Sequence, residues 1–98
     1  MGPGTAAARL LGDRVRSLRR ATGNTQMDFA LYVGMNVAHL GRIERGEGNP
    51  NLETLVRLAD ALGVDVAELV AGIRVEHYPS NPQTEINRDY LERKRLLN

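Results

Sequence analysis

The strongest constraint on this chain is its punctuation. Gly23, Gly34, Gly46, Gly63 and Gly72 cut the first 72 residues into short stretches whose apolar residues recur at helical spacing. In the first, Leu11, Val15, Leu18 and Thr22 fall at i, i+4, i+7 and i+11, one stripe of a helix from Thr5 to about Thr22. Thr25, with Asp28 three residues on, caps a second helix to about Val33. Asn36 caps a third that runs to Arg45 with Leu40 and Ile43 inward, and Asn51 opens a fourth that buries Leu52, Leu55, Ala59 and Leu62. Asp65 as cap, Glu68 as the reaching carboxylate and Val64 stapled against Leu69 define a fifth helix that closes near Gly72. Nothing from Leu11 to Leu69 alternates with the period of two that a strand needs. The expected class is all-α: a five-helix domain over residues 1–72 and a short C-terminal extension over 73–98.

Composition narrows what such a domain can do. With one Phe, three Tyr and no Trp, the core has to be Leu, Val, Ile and Ala, and in a chain of 98 residues it is too modest to enclose a deep enzymatic cleft. The lack of cysteine removes disulfides, thiol nucleophiles and thiolate metal sites, and fits a reducing cytoplasm. His39 and His77 are far apart, so neither a metal nor another cofactor is expected. No apolar run approaches the roughly 18 residues of a bilayer span, and Met1-Gly2-Pro3-Gly4 lacks a basic segment leading into an apolar one. The expectation is a soluble cytoplasmic protein with no membrane partner. Gly46-x-Gly48 follows a helix rather than a strand and there is no nucleophile–base pair, so no enzyme is expected.

A net charge of +1 conceals an asymmetry. Up to Asn24, Arg9, Arg14, Arg16, Arg19 and Arg20 outnumber one acid, Asp13; from Glu47 to Gly72, Glu47, Glu53, Asp60, Asp65 and Glu68 outnumber Arg57. A polyanion could meet the first end and be repelled by the second. Two ordinary solvated faces would have the same composition, so charge alone does not choose.

The informative stretch is residues 25–46. Ala30 stands where two crossing helices must approach closely, Gly34 where the chain turns, and Leu40 and Ile43 pin the second of the two helices to the body. Its outer face is left uncommitted, as in a helix-turn-helix whose second helix enters the DNA major groove. Around this core, Leu11 to Leu69 resembles the XRE family, the helix-turn-helix domain of Cro-like and lambdoid phage repressors. The resemblance rests on residues 11–19, Gly23-x-Thr25-Gln26, Phe29-Ala30, Gly34, Asn36, Ile43-Glu44-Arg45-Gly46, Asn49-Pro50, Leu52-Glu53-Thr54-Leu55 and Leu58-Ala59-x-x-Leu62-Gly63-Val64.

The resemblance implies roles. Gln26 would contact a DNA phosphate and brace the third helix. Asn36, Val37, Ala38 and Arg42 would face base edges, His39 would reach a base or phosphate, and Asn49 would help hold a phosphate. Arginine can donate two hydrogen bonds to guanine, and Val or Ala can meet a thymine methyl. Capping alone also explains Asn36, and turn formation explains Asn49. Arg19 and Glu44 would form an internal ion pair joining the first and third helices. Asn24, Leu31 and Tyr32 depart from the family pattern, and an exposed Leu31 and Tyr32 would offer a protein contact.

The implied function is a DNA-binding transcriptional regulator, most simply a dimeric repressor whose homodimer reads an inverted repeat in double-stranded DNA. The alternative is a protein-interaction module, such as the antitoxin of a toxin–antitoxin pair or a transcriptional coactivator, with a protein partner. The extension has three readings: Ile73, Val75 and Tyr78 pairing as strands between two copies, a helix over Thr84 to Leu97 packing Ile86, Tyr90 and Leu97 on a partner, or disorder.

Overall fold

A computed structural model describes residues 4–97, apart from the side chains at 84, 85 and 97. Met1-Gly2-Pro3 and the side chain of Leu97, assigned above to the stripe of the extension, lie outside the described residues. The elements are α1 (Ala6–Thr22), α2 (Gln26–Val33), α3 (Val37–Glu44), α4 (Leu52–Leu62), α5 (Val66–Val70), a 3₁₀ turn (Val75–His77) and α6 (Pro82–Leu97), with no strand among the described residues.

Side-chain caps open the first four helices. Thr5 Oγ1 accepts from Ala8 N at 3.0 Å, Thr25 Oγ1 from Asp28 N at 3.1 Å, Asn36 Oδ1 from Ala38 N at 2.7 Å and Asn51 Oδ1 from Thr54 N at 2.9 Å. α5 departs from expectation, because the Asp65 side chain makes no capping bond. The N–H that it would have received, that of Glu68, donates instead to the Asp65 backbone carbonyl at 2.9 Å, which closes this one-turn helix tightly. The strand reading of residues 73–78 also gives way to a turn. A lone strand would have had no neighbour for its backbone groups; here His77 Nδ1 accepts from Arg74 N at 2.8 Å, and Tyr78 N donates to Val75 O at 3.1 Å.

The core gathers Leu11 and Val15 of α1, Phe29, Ala30 and Val33 of α2, Leu40 and Ile43 of α3, Leu58 and Ala59 of α4 and Leu69 of α5. Phe29, Leu40, Leu58 and Leu69 are almost fully buried, each stabilising the fold by roughly 1.5–3 kcal/mol. On α4 the inward face centres on Leu58 and Ala59, with Leu55 and Leu62 partly buried. Leu52, expected inside, is the first residue of the helix, lies beyond the body and is exposed. Arg14 Nη1 donates to the Leu69 carbonyl at 3.0 Å and ties α1 to α5.

Two glycines set the position of α3 for different reasons. Gly34 ends α2 with φ 81°, and open space surrounds the place where a side chain would stand, so conformation alone requires glycine there. Gly12, buried in α1, faces the backbone at the end of α3, and a methyl group there would overlap the Ile43 carbonyl oxygen. Gly34→Ala should therefore cost about 1–2 kcal/mol from the left-handed backbone alone. Gly12→Ala should cost more, because α1 and α3 must separate. Denaturant melts of the two variants check the order, and equal losses would contradict the close crossing.

Candidate nucleic-acid interface

α3 carries two faces with different work. Leu40, Gly41, Ile43 and Glu44 are buried. Ala38, Arg42 and Arg45, at i, i+4 and i+7, form a row on the other side, with Ala38 and Arg45 exposed and Arg42 half-buried. Asn36 and Val37 are exposed just before this row, and Asn49 is exposed in the loop that follows α3. The Asn36 side-chain oxygen Oδ1 accepts from the Ala38 amide, which leaves the side-chain NH₂ donors. His39 is half-buried and sits apart from the row, beside Glu53, Thr54 and Arg57 at the start of α4.

The orientation of that row is held from below by charge. Arg19 Nε donates to Glu44 Oε2 at 2.6 Å and Arg19 Nη2 to Glu44 Oε1 at 2.9 Å, a bidentate pair between α1 and α3 with 7% of Arg19 and 1% of Glu44 exposed. Arg19 Nη1 donates to the Asn24 carbonyl at 2.8 Å, which anchors the α1–α2 turn. Gln26 Nε2, from the first residue of α2, donates to Glu44 Oε1 at 2.9 Å. One carboxylate thus joins three helices. Burial alone would raise the Glu44 pKa, but hydrogen bonds from Arg19 and Gln26, with the Arg19 charge, outweigh it and hold the carboxyl below its ordinary value. Its hydrogen bond to Glu44 raises Arg19 further, against an opposing effect of burial.

Arg45 was absent from the expected site, where it counted only as part of the Ile43–Gly46 motif. Its seven-residue offset from Ala38 is the signal that places it on the same face. Its guanidinium meets Glu47 with two contacts of 3.3 Å and lies over Gly41, whose missing side chain leaves room for it beside the Gln26 amide. Gln26 and Arg45 therefore belong to one neighbourhood, where α2 begins and the outer face of α3 ends. Arg9 runs across Gly46 and donates to the Gly4 carbonyl, and Arg16 pairs with Asp13 at 3.1 Å. On α2, Met27, Leu31 and Tyr32 are 63%, 75% and 74% exposed, an apolar patch on the side away from the core.

Comparison with known proteins identifies the fold and the family. The sequence model of the helix-turn-helix family matches residues 15–69. The HTH-type transcriptional regulator DdrOP3 of Deinococcus deserti is 40% identical over 63 residues, which cover 64% of this chain and 49% of that protein. The match thus spans about half the length of that relative. The uncharacterized HTH-type transcriptional regulator y4dJ of Sinorhizobium fredii is 42% identical over 62 residues, covering 63% of this chain and 80% of that one. Among solved structures, the P22 c2 repressor in complex with synthetic operator 9T is similar with a TM-score of 0.60 and 31% identity, over 63% of this chain and 94% of that one.

The ion pair generates two expectations. Arg19→Ala and Glu44→Ala should each cost roughly 3–5 kcal/mol, as one-sided loss of a buried pair does, and the double variant should lose less than their sum. Strict additivity in a denaturant cycle would show that the two do not interact. The acid limb carries the second. The unfolded Glu44 takes up its proton near 4.5 and the native one at lower pH. Its stabilisation is therefore present above that value and lost as pH falls through the depressed native one. Glu44→Gln should remove that part of the pH dependence, as melts from pH 2 to 7 would show.

Proposed function

This chain belongs to the helix-turn-helix family, and from that premise we propose that it is a sequence-specific DNA-binding transcriptional regulator, most simply a dimeric repressor that reads an inverted repeat. The observation that carries this reading is the division of labour on α3. Its inner face is fixed by packing and by the Glu44 ion pair, while Ala38, Arg42 and Arg45 project from the other side. A rigid helix with an arginine at its outward centre suits the major groove, where a guanidinium can take guanine O6 and N7 together.

Each site residue then has a task. Arg42 reads a base, and Val37 and Ala38 present apolar surface to a thymine methyl. Gln26 spends one N–H on Glu44 and turns its second toward a phosphate, so that docking and bracing run through one amide. Asn36 turns its amide donors to a base edge at the start of α3, Asn49 offers its own to a backbone phosphate beyond the end of α3, and Arg45 reaches a phosphate by leaving Glu47. His39 reaches DNA from the flank near α4. In a dimer, the two α3 helices would stand roughly 34 Å apart, one turn of B-DNA. A second reading, a module whose partner is a protein, draws its support from the exposed Met27, Leu31 and Tyr32. A neighbouring toxin gene would favour it.

Arg42→Ala should cost about 1–3 kcal/mol on the preferred duplex and relax selectivity at one base pair. Gln26→Ala should weaken binding about equally across sequences. Titrations of randomised and selected duplexes at two salt concentrations separate these effects. Unchanged preference and affinity in Arg42→Ala would remove Arg42 from the reading face, and loss of the assignment would follow if both variants bound as the parent does.

A further inference from the structure

α6 is a 16-residue helix, about 24 Å long at the usual rise, and every one of its described side chains is exposed. Ile86 and Tyr90, one turn apart on one side of the helix, are 60% and 61% exposed. A helix of this length is marginal in water when nothing covers its apolar side. The charges say what covers it. By sequence, the first half holds Glu85 and Asp89 against Arg88, and the second holds Arg93, Lys94 and Arg95 against Glu92.

We propose that α6 pairs antiparallel with α6 of a second copy of this chain, burying Ile86 and Tyr90 across a two-fold axis near the middle of the helix. Parallel pairing would set the two basic ends side by side. Antiparallel pairing sets each basic end against an acidic one and, centred near Leu91, brings Asp89 of one copy opposite Arg93 of the other. The arrangement is self-complementary, so one interface satisfies both copies and growth stops at two. It names the partner that the dimeric reading above requires and rests on that reading for its use on DNA. Each copy would then contribute one α3, and two half-sites give an address that one cannot.

Sedimentation of the full chain without DNA tests the pairing. The parent should be a dimer and the Ile86→Glu/Tyr90→Glu variant a monomer, with lower helix content by circular dichroism and an unchanged melt of the five-helix body. A variant that stays dimeric, or a parent that is monomeric at every concentration measured, overturns the proposal. Orientation is read by disulfide trapping, since the chain has no cysteine of its own. Asn87 and Lys94 lie two turns apart on one side of α6, so a mixture of Asn87→Cys and Lys94→Cys chains should cross-link to each other. Cross-linking of Asn87→Cys to itself alone would mean parallel pairing and overturn the proposal. DNA binding is scored separately: a dimer that binds no DNA refutes the proposed function and leaves the α6 pair standing, whereas a monomer that binds DNA does the reverse.

Discussion

The carboxylate of Glu44 is the point through which the geometry of this domain runs. It is almost wholly removed from water and receives three hydrogen bonds, two from Arg19 on α1 and one from Gln26 on α2. Burying the two charges costs several kcal/mol per ion, which the contact offsets only when its geometry is good. Its worth therefore lies less in net stability than in permitting one arrangement: α3 cannot rotate or slide without leaving a buried charge unpaired. The Ala38–Arg42–Arg45 row inherits its direction from that restriction.

Backbone contacts complete the restriction. Gly12 lets α1 meet the end of α3 without a side chain between them, and Gly34 reverses the chain between α2 and α3 within a few residues. Ala30, 2% exposed, keeps the same crossing narrow from the α2 side. The apolar core then needs only ordinary Leu, Val, Ile and Phe contacts to hold five short helices, none of which would be stable alone. The outer row that results has local, rigid supports, with Arg42 half-buried and Arg45 held against Glu47.

Much of this was legible in the sequence, and the failures have physical causes. Thr25, Asn36 and Asn51 announce helix starts because their side chains replace a backbone acceptor within three residues, a local rule. Asp65 obeys the same rule on paper, yet a five-residue helix closes through its own backbone and leaves the carboxylate unused. Residues 73–78 alternate like a strand, but pairing is a property of neighbours and none is present among the described residues. Leu52 matches the α4 spacing and is exposed, since periodicity gives a direction but not where the body ends. Non-local facts were least accessible. Arg19 and Glu44 are 25 residues apart, so only the family resemblance suggested their meeting. The third bond from Gln26 and the close approach at Gly12 required the three-dimensional arrangement, and Arg45 was hidden by belonging to a motif already given another meaning.

In the function proposed here, the outer face of α3, held by Glu44, reads DNA in the major groove. Selection of bound fragments from random duplex DNA, followed by chemical footprinting of the enriched sequence at base-pair resolution, tests it most directly. The expected result is a single enriched motif with major-groove guanine N7 atoms protected, repeated in inverted orientation at a centre-to-centre spacing of about one helical turn. Recovery of no motif, with uniform backbone protection that vanishes at moderate salt, would mean that the protein meets DNA only as a polyanion and would contradict it.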